Sequence, residues 1–224
     1  MVNLSYIVFI CIVVSLGLML PLMDKKTRGV VSFMIVGIFA CLFVSELNQI
    51  FLKFFDSDMY YVTTTITPVT EEIVKALPIL YCAIVFTDDR KTLIANSFAV
   101  GVGFALLENI VILVQNVDDV TILWALVRGF GSGLVHGVCT VMVGYGISYI
   151  KKRRKLFFCG TFALLSAAVI YHATYNLLVQ SDYPYAGVLL PVLTYIPAIL
   201  LLRGGTAAKA AKSSPAKKTA NAKG

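Results

Sequence analysis

The sequence predicts an all-α, polytopic membrane helix bundle of about seven transmembrane helices. Three observations carry that expectation. Hydrophobic residues make up 58% of the chain and charged residues only 14%, the mean hydropathy is +0.85, and the apolar residues gather into long stretches joined by short polar connections. A water-soluble domain carries about a quarter charged residues, so that class is excluded.

The stretches run over 4–23, 30–52, 62–86, 92–114, 120–150, 156–180 and 184–202, each near or above the ~20 residues that a helix needs to cross the hydrocarbon. The first lacks a basic leader and exceeds a signal-peptide core of about 7–15 residues, so it reads as a retained helix. The second follows Lys25, Lys26 and Arg28 and ends at Lys53. The third holds Glu71, Glu72 and Lys75 between Pro68 and Pro78, prolines able to break its helix in the way a transporter would use. The fourth carries Gly101 and Gly103 before Glu108, and the fifth surrounds His136 with Gly129, Gly131, Gly133 and Gly137. Small residues at these positions favour close helix approach, the step from Gly133 to Gly137 in particular. The sixth carries His172 and Asn176, and the seventh ends at Arg203. Residues 1–203 therefore read as a single transmembrane domain with its polar site within 62–180. Residues 204–224, rich in Lys and Ala, have too few large apolar groups to fold and read as a disordered cytoplasmic tail. Cys11, Cys41, Cys82, Cys139 and Cys159 are odd in number and lack CxxC spacing, so they read as packing residues.

Alternate connections differ in sign. The segments 24–28, 88–91, 151–155 and the tail from Arg203 sum to +13, and the opposite set sums to −4. Lys and Arg near membrane ends fix topology, so the N-terminus is expected outside and the C-terminus inside. The basic loop and tail can also touch anionic lipid headgroups. Scattered lysines without further recognition features argue against nucleic acid as a partner.

All eight aspartates lie in the connections, whereas all four glutamates and both histidines lie inside apolar stretches. An ionisable group in a bilayer is costly and marks function. At about 1.5 Å per residue, Glu71, Glu108 and His172 fall roughly 9–13 Å below the outer ends of three different helices, and Glu46 arrives at a similar level. His136 joins them if the apolar core of its long segment begins near Arg128. Lys75 follows Glu71 by four residues and Glu72 by three, so it can neutralise part of their charge. Phe104 with Glu108, and His172 with Asn176, share a helix face one turn apart.

In this order and spacing, Glu71-Glu72 with Lys75, Phe104-x-x-x-Glu108, His136 in a Gly-rich helix and His172-x-x-x-Asn176 resemble the PrsW-type intramembrane proteases. That family lies within the superfamily of CAAX-processing and bacteriocin-processing membrane proteases. Glu108 stands where the CAAX-processing branch has a histidine, which favours the PrsW branch and argues against a prenyl-protein substrate. The resemblance implies cleavage of a membrane-anchored regulatory protein, such as an anti-sigma factor, on its extracytoplasmic side in a bacterial cell membrane. It makes Glu71, Glu72, Glu108, His172 and Asn176 candidate catalytic residues, with Glu71, helped by Glu72, as the base for water. Glu108, His136 and His172 are candidate metal ligands. The family's description as metalloproteases points to zinc, whereas the residues alone admit zinc or a metal-free, glutamate-activated water; HExxH is absent. Two other classes fit buried Glu, His, Lys and Arg: a proton- or ion-coupled transporter, and a non-catalytic immunity or receptor protein on the same scaffold.

Overall fold

A computed structural model describes residues 4–55, 58–118, 120–182 and 185–196. Among them every regular element is helical: α1 (Leu4–Met19), α2 (Lys25–Phe54), α3 (Met59–Tyr61), α4 (Thr67–Val85), α5 (Arg90–Gln115), α6 (Ile122–Ile147), α7 (Arg154–Val179) and α8 (Tyr185–Ile196). A π-helical turn, Val62–Ile66, joins α3 to α4. The expected tail 204–224 lies outside the described residues.

The helices start where polar caps allow. Asp24 accepts from the main-chain N–H groups of Lys26 and Thr27 to open α2, and Asp89 accepts from Thr92 to open α5. The Thr27 and Thr92 hydroxyls also donate to these carboxylates, which holds both below the usual carboxylate range. Each cap supplies acceptors for N–H groups that the first helical turn cannot satisfy.

Five helices are long and apolar enough to cross a membrane: α1 with its short extension to Leu22, then α2, α5, α6 and α7. The helix α4 has 19 residues but carries Glu71, Glu72 and Lys75 among them. Those three are at most 3% exposed, whereas Ile73, Leu77, Tyr81 and Ile84 on the same helix are exposed. The described part of the seventh expected segment, α8, has only 12 residues. Elsewhere Leu18 and Phe162 are each 73% exposed. Apolar outside and charged inside is the arrangement that lipid selects, and the chain is an integral membrane protein.

The bundle centres on α5, which packs against α2 on one side and α6 on the other. A side chain at Gly37 would strike the Val100 carbonyl, and one at Gly103 would strike the Met34 carbonyl, so glycines on both partners set the α2–α5 crossing. Gly101 lies similarly against the main chain of His136. The expected close step at Gly133 is corrected: Gly129 and Gly133 meet nothing within 4 Å, because α6 presents them away from its neighbours.

Connections meet at two ends. Lys152 Nζ donates to the Asp88 carbonyl at 2.6 Å, joining two of the expected inner loops. At the other end Asn176 Nδ2 donates to the Thr63 carbonyl at 3.0 Å. Cys41, Cys82 and Cys139 are buried and unbridged, Cys11 and Cys159 exposed and unbridged, consistent with packing roles.

The two prolines of the third segment do not give the transporter-like break. Pro78 lies inside an α4 that continues to Val85, and Pro68 sits in its first turn, where a missing N–H costs least. The irregularity precedes Pro68: Thr67 N–H reaches back five residues to Val62 O. Continuing that pattern would bring residue 68 to Thr63 O, but proline has no N–H to give. The Asn176 side chain supplies the donor instead.

Replacing Gly103 with Ala should push α2 and α5 apart and cost about 1–3 kcal/mol. Thermal unfolding in detergent would show it as a lowered Tm, whereas Gly133→Ala should leave Tm unchanged.

Candidate active site

One turn of α4 supplies the centre of the site. Glu71, Glu72 and Lys75 point into the bundle together, and Lys75 and Glu72 are fully buried. A Lys side chain at that depth demands charged partners. Lys75 Nζ is 2.7 Å from Glu72 Oε1, 2.8 Å from His136 Nδ1 and 3.8 Å from Glu71 Oε2. The Phe104 ring of α5 covers it at 4.8 Å from the ring centre.

The two histidines arrive from α6 and α7. Their rings meet edge to face with centres 4.7 Å apart, and Phe104 lies 5.0 Å from His136. His172 Nδ1 is 2.9 Å from Glu72 Oε1, so it donates to that carboxylate. His136 Nδ1 faces the Lys75 ammonium, a donor only, and must accept from it. Its proton therefore sits on Nε2 and is given to Glu108 Oε2 at 3.2 Å. The network assigns both tautomers.

Glu108 stands behind His136. Its Oε2 also meets Ser132 Oγ at 3.1 Å and Arg128 Nη2 at 3.4 Å. Arg128, Ser132 and His136 are spaced by four along α6, so one face of that helix offers three donors to one carboxylate. Read from the sequence, Ser132 has no role and Arg128 only marks where the apolar core of its segment begins. The four-residue spacing was the available signal.

Glu71 is left incompletely partnered. Its Oε2 is 3.8 Å from Lys75, 3.6 Å from His136 Nδ1 and 3.8 Å from His172 Nδ1, beyond hydrogen-bond reach of all three. That oxygen is buried without a hydrogen-bond partner, as is Glu72 Oε2. A cavity of about 520 Å³ is lined by Glu71 together with Glu46, Glu108, Arg128, His136 and Asn176. The structure thus brings Glu71, Glu72, His136 and His172 to one point. It sets Glu108 on the far nitrogen of His136, ties Asn176 to the chain before α4, and places Glu46 on the cavity wall.

Fold and site together define an intramembrane protease: a cavity, two buried carboxylates and two imidazoles are brought together within a membrane bundle. The chain belongs to the PrsW family of intramembrane metalloproteases, whose pattern it matches over residues 25–202. It is similar to Protease PrsW of Clostridioides difficile (strain 630), with 27% identity over 180 residues, covering 74% of this chain and 73% of the relative. No solved structure matches it significantly.

The residues present fit the metal that the family description implies. Glu71, Glu72, His136 and His172 each offer one ligand atom, all within 4.8 Å of one another, and oxygens of Glu71 and Glu72 lack partners. Two imidazoles with carboxylates are a donor set for a divalent transition metal. Glu108, an expected ligand, lies outside this group of four and is placed to orient His136 through Nε2, as an outer carboxylate orients a liganding imidazole.

Lys75→Met would leave Glu72 and Glu71 uncompensated and should cost about 3–5 kcal/mol. Ser132→Ala, which removes one of three donors to Glu108, should cost only about 1 kcal/mol. Denaturation of the purified variants measures both.

Proposed function

We propose that the chain hydrolyses a peptide bond in a single-span, membrane-anchored regulatory protein of the anti-sigma-factor type, near the extracytoplasmic face of a bacterial cell membrane. In this reading seven helices cross the bilayer, with the N-terminus outside and the C-terminus inside. Two features support the orientation. The loops joined by Lys152 and Asp88 belong to the basic end, and the cavity is lined at the opposite end by Leu52, Met59, Gln115 and Gln180.

The observation that carries the chemistry is Glu71 Oε2, a buried carboxylate oxygen without a hydrogen-bond partner on a residue that lines the cavity. It is the group free to hold a water and take its proton. Glu72 is held by Lys75 and His172, so its part is to anchor those two. The water oxygen bonds to the scissile carbonyl carbon as Glu71 accepts one water proton. The C–N bond then breaks, and Glu71 returns that proton to the leaving amine, leaving a carboxyl group and an amine. Asn176 has a second amide N–H beyond the one given to Thr63, and this N–H stabilises the carbonyl oxygen as its charge grows, while His172 holds Glu72 through Nδ1. Glu108 and Arg128 keep His136 in the tautomer that faces the site. With zinc held by Glu72, His136 and His172 and Glu71 left as the base, the site would gain Lewis acidity toward water and the scissile carbonyl.

Glu71→Gln and His172→Ala should each lower clipping of a single-span reporter by at least about 10²-fold while the proteins stay folded by thermal unfolding. Normal clipping by Glu71→Gln would remove it as the base. Elemental analysis of the purified protein should find zinc, lost on chelation and much reduced in His172→Ala; full activity in zinc-free protein would establish metal-free chemistry.

A further inference from the structure

Glu46 is the one intramembrane glutamate outside the ion-paired network. Glu71, Glu72 and Glu108 each lie within 4.0 Å of a Lys or Arg. Among the described residues Glu46 has no such partner, and its recorded contact is the Tyr6 hydroxyl of α1, which donates to Oε1 at 2.8 Å. A phenol is neutral and leaves the charge uncompensated. Four carboxylates, Glu46, Glu71, Glu72 and Glu108, therefore share two fixed cations, Lys75 and Arg128, and both cations are engaged by the other three acids.

Glu46 lines the same cavity as Glu71, His136 and Asn176, with Asn48 and Gln49 beside it on α2. Asn48 Oδ1 is buried without a hydrogen-bond partner, so this wall holds a second acceptor awaiting a donor. A charge kept in a membrane cavity calls for an opposite charge, and among substrate groups only a Lys or Arg side chain brings both the charge and several N–H donors. If Glu46 served merely to tie α1 to α2, the tie to Tyr6 would need only a neutral acceptor.

Its distance from the reacting centre follows from α2. Cys41 packs in the same buried cluster as Phe104, whose ring covers Lys75, so that part of α2 is level with the centre. Glu46 is five residues further on, about 7.5 Å along the axis. An extended peptide covers that distance in about two or three residues. We propose that Glu46 forms a specificity subsite for a Lys or Arg side chain of the substrate, two or three residues from the scissile bond. The subsite rests on the protease reading centred on Glu71.

A library of single-span membrane reporters carrying Lys, Gln or Glu at each position of the extracytoplasmic half of the span tests it, with products sequenced by mass spectrometry. The wild-type chain should cleave reporters with Lys at one fixed offset about tenfold better than those with Gln, the scale of a desolvated charge pair. Glu46→Gln should flatten that ratio to about one, and Glu46→Lys should prefer Glu at the same offset, which also shows that this variant is folded. Wild-type cleavage without a fixed-offset preference, or a Lys preference that survives in Glu46→Gln, would overturn the subsite while leaving the protease reading intact. Glu71→Gln is the control: products that persist in it come from elsewhere, and the absence of any Glu71-dependent product would overturn both.

Discussion

The Lys75 ammonium is the interaction on which the rest of the site depends. It is fully buried, and a charge at that depth persists only where neighbours answer it. Glu72 answers most directly, Glu71 from a longer distance, and the neutral His136 by accepting a hydrogen bond. Because those partners sit on α4 and α6, with Phe104 of α5 over the ammonium, a single cation brings three helices into register. His172 joins through Glu72 and adds a fourth.

From Lys75 the network runs outward in one direction. The ammonium fixes the proton of His136 on the far nitrogen, that nitrogen meets Glu108, and Glu108 is held by Ser132 and Arg128. The carboxylate oxygens left without a partner are Glu71 Oε2 and Glu72 Oε2. The site is rigid where orientation matters and unspent at these two oxygens, a division that suits hydrolysis. Close backbone contact where Gly37 and Gly103 set the α2–α5 crossing supplies the mechanical support, since lipid offers no hydrophobic push between helices.

Much of this was legible in the sequence because lipid simplifies the reading. Apolar length gives the helices, and an ionisable residue within one is an anomaly that points inward, as Glu71, Glu72, His136 and His172 do. Depth counting placed Glu71, Glu108 and His172 at a common level, and His136 with them only if its apolar core begins near Arg128, but it says nothing of direction around each helix. That is why Glu108 could be set level with His136 without its place behind the ring being seen. The same limit hid Ser132, a residue too common in membrane helices to stand out. Glycine counting misjudged Gly133, since a small residue marks a close approach only when its face meets a neighbour. The π turn escaped because proline announces a disturbance without saying on which side of itself it will fall.

That turn links α4 to the end of the bundle opposite the Lys152–Asp88 contact through a shared winding. Thr63 is pinned by Asn176 and faces Gln180, while Glu71 lies eight residues later beside Lys75. The extra residue accommodated between them is worth about 100° of helical phase. Rewinding the segment as regular α-helix must therefore either turn Glu71 away from the two imidazoles or detach Thr63 from α7. The segment before α4 and the Glu71 carboxylate are two ends of one torsional element, so a twist applied at the surface is felt at the buried network.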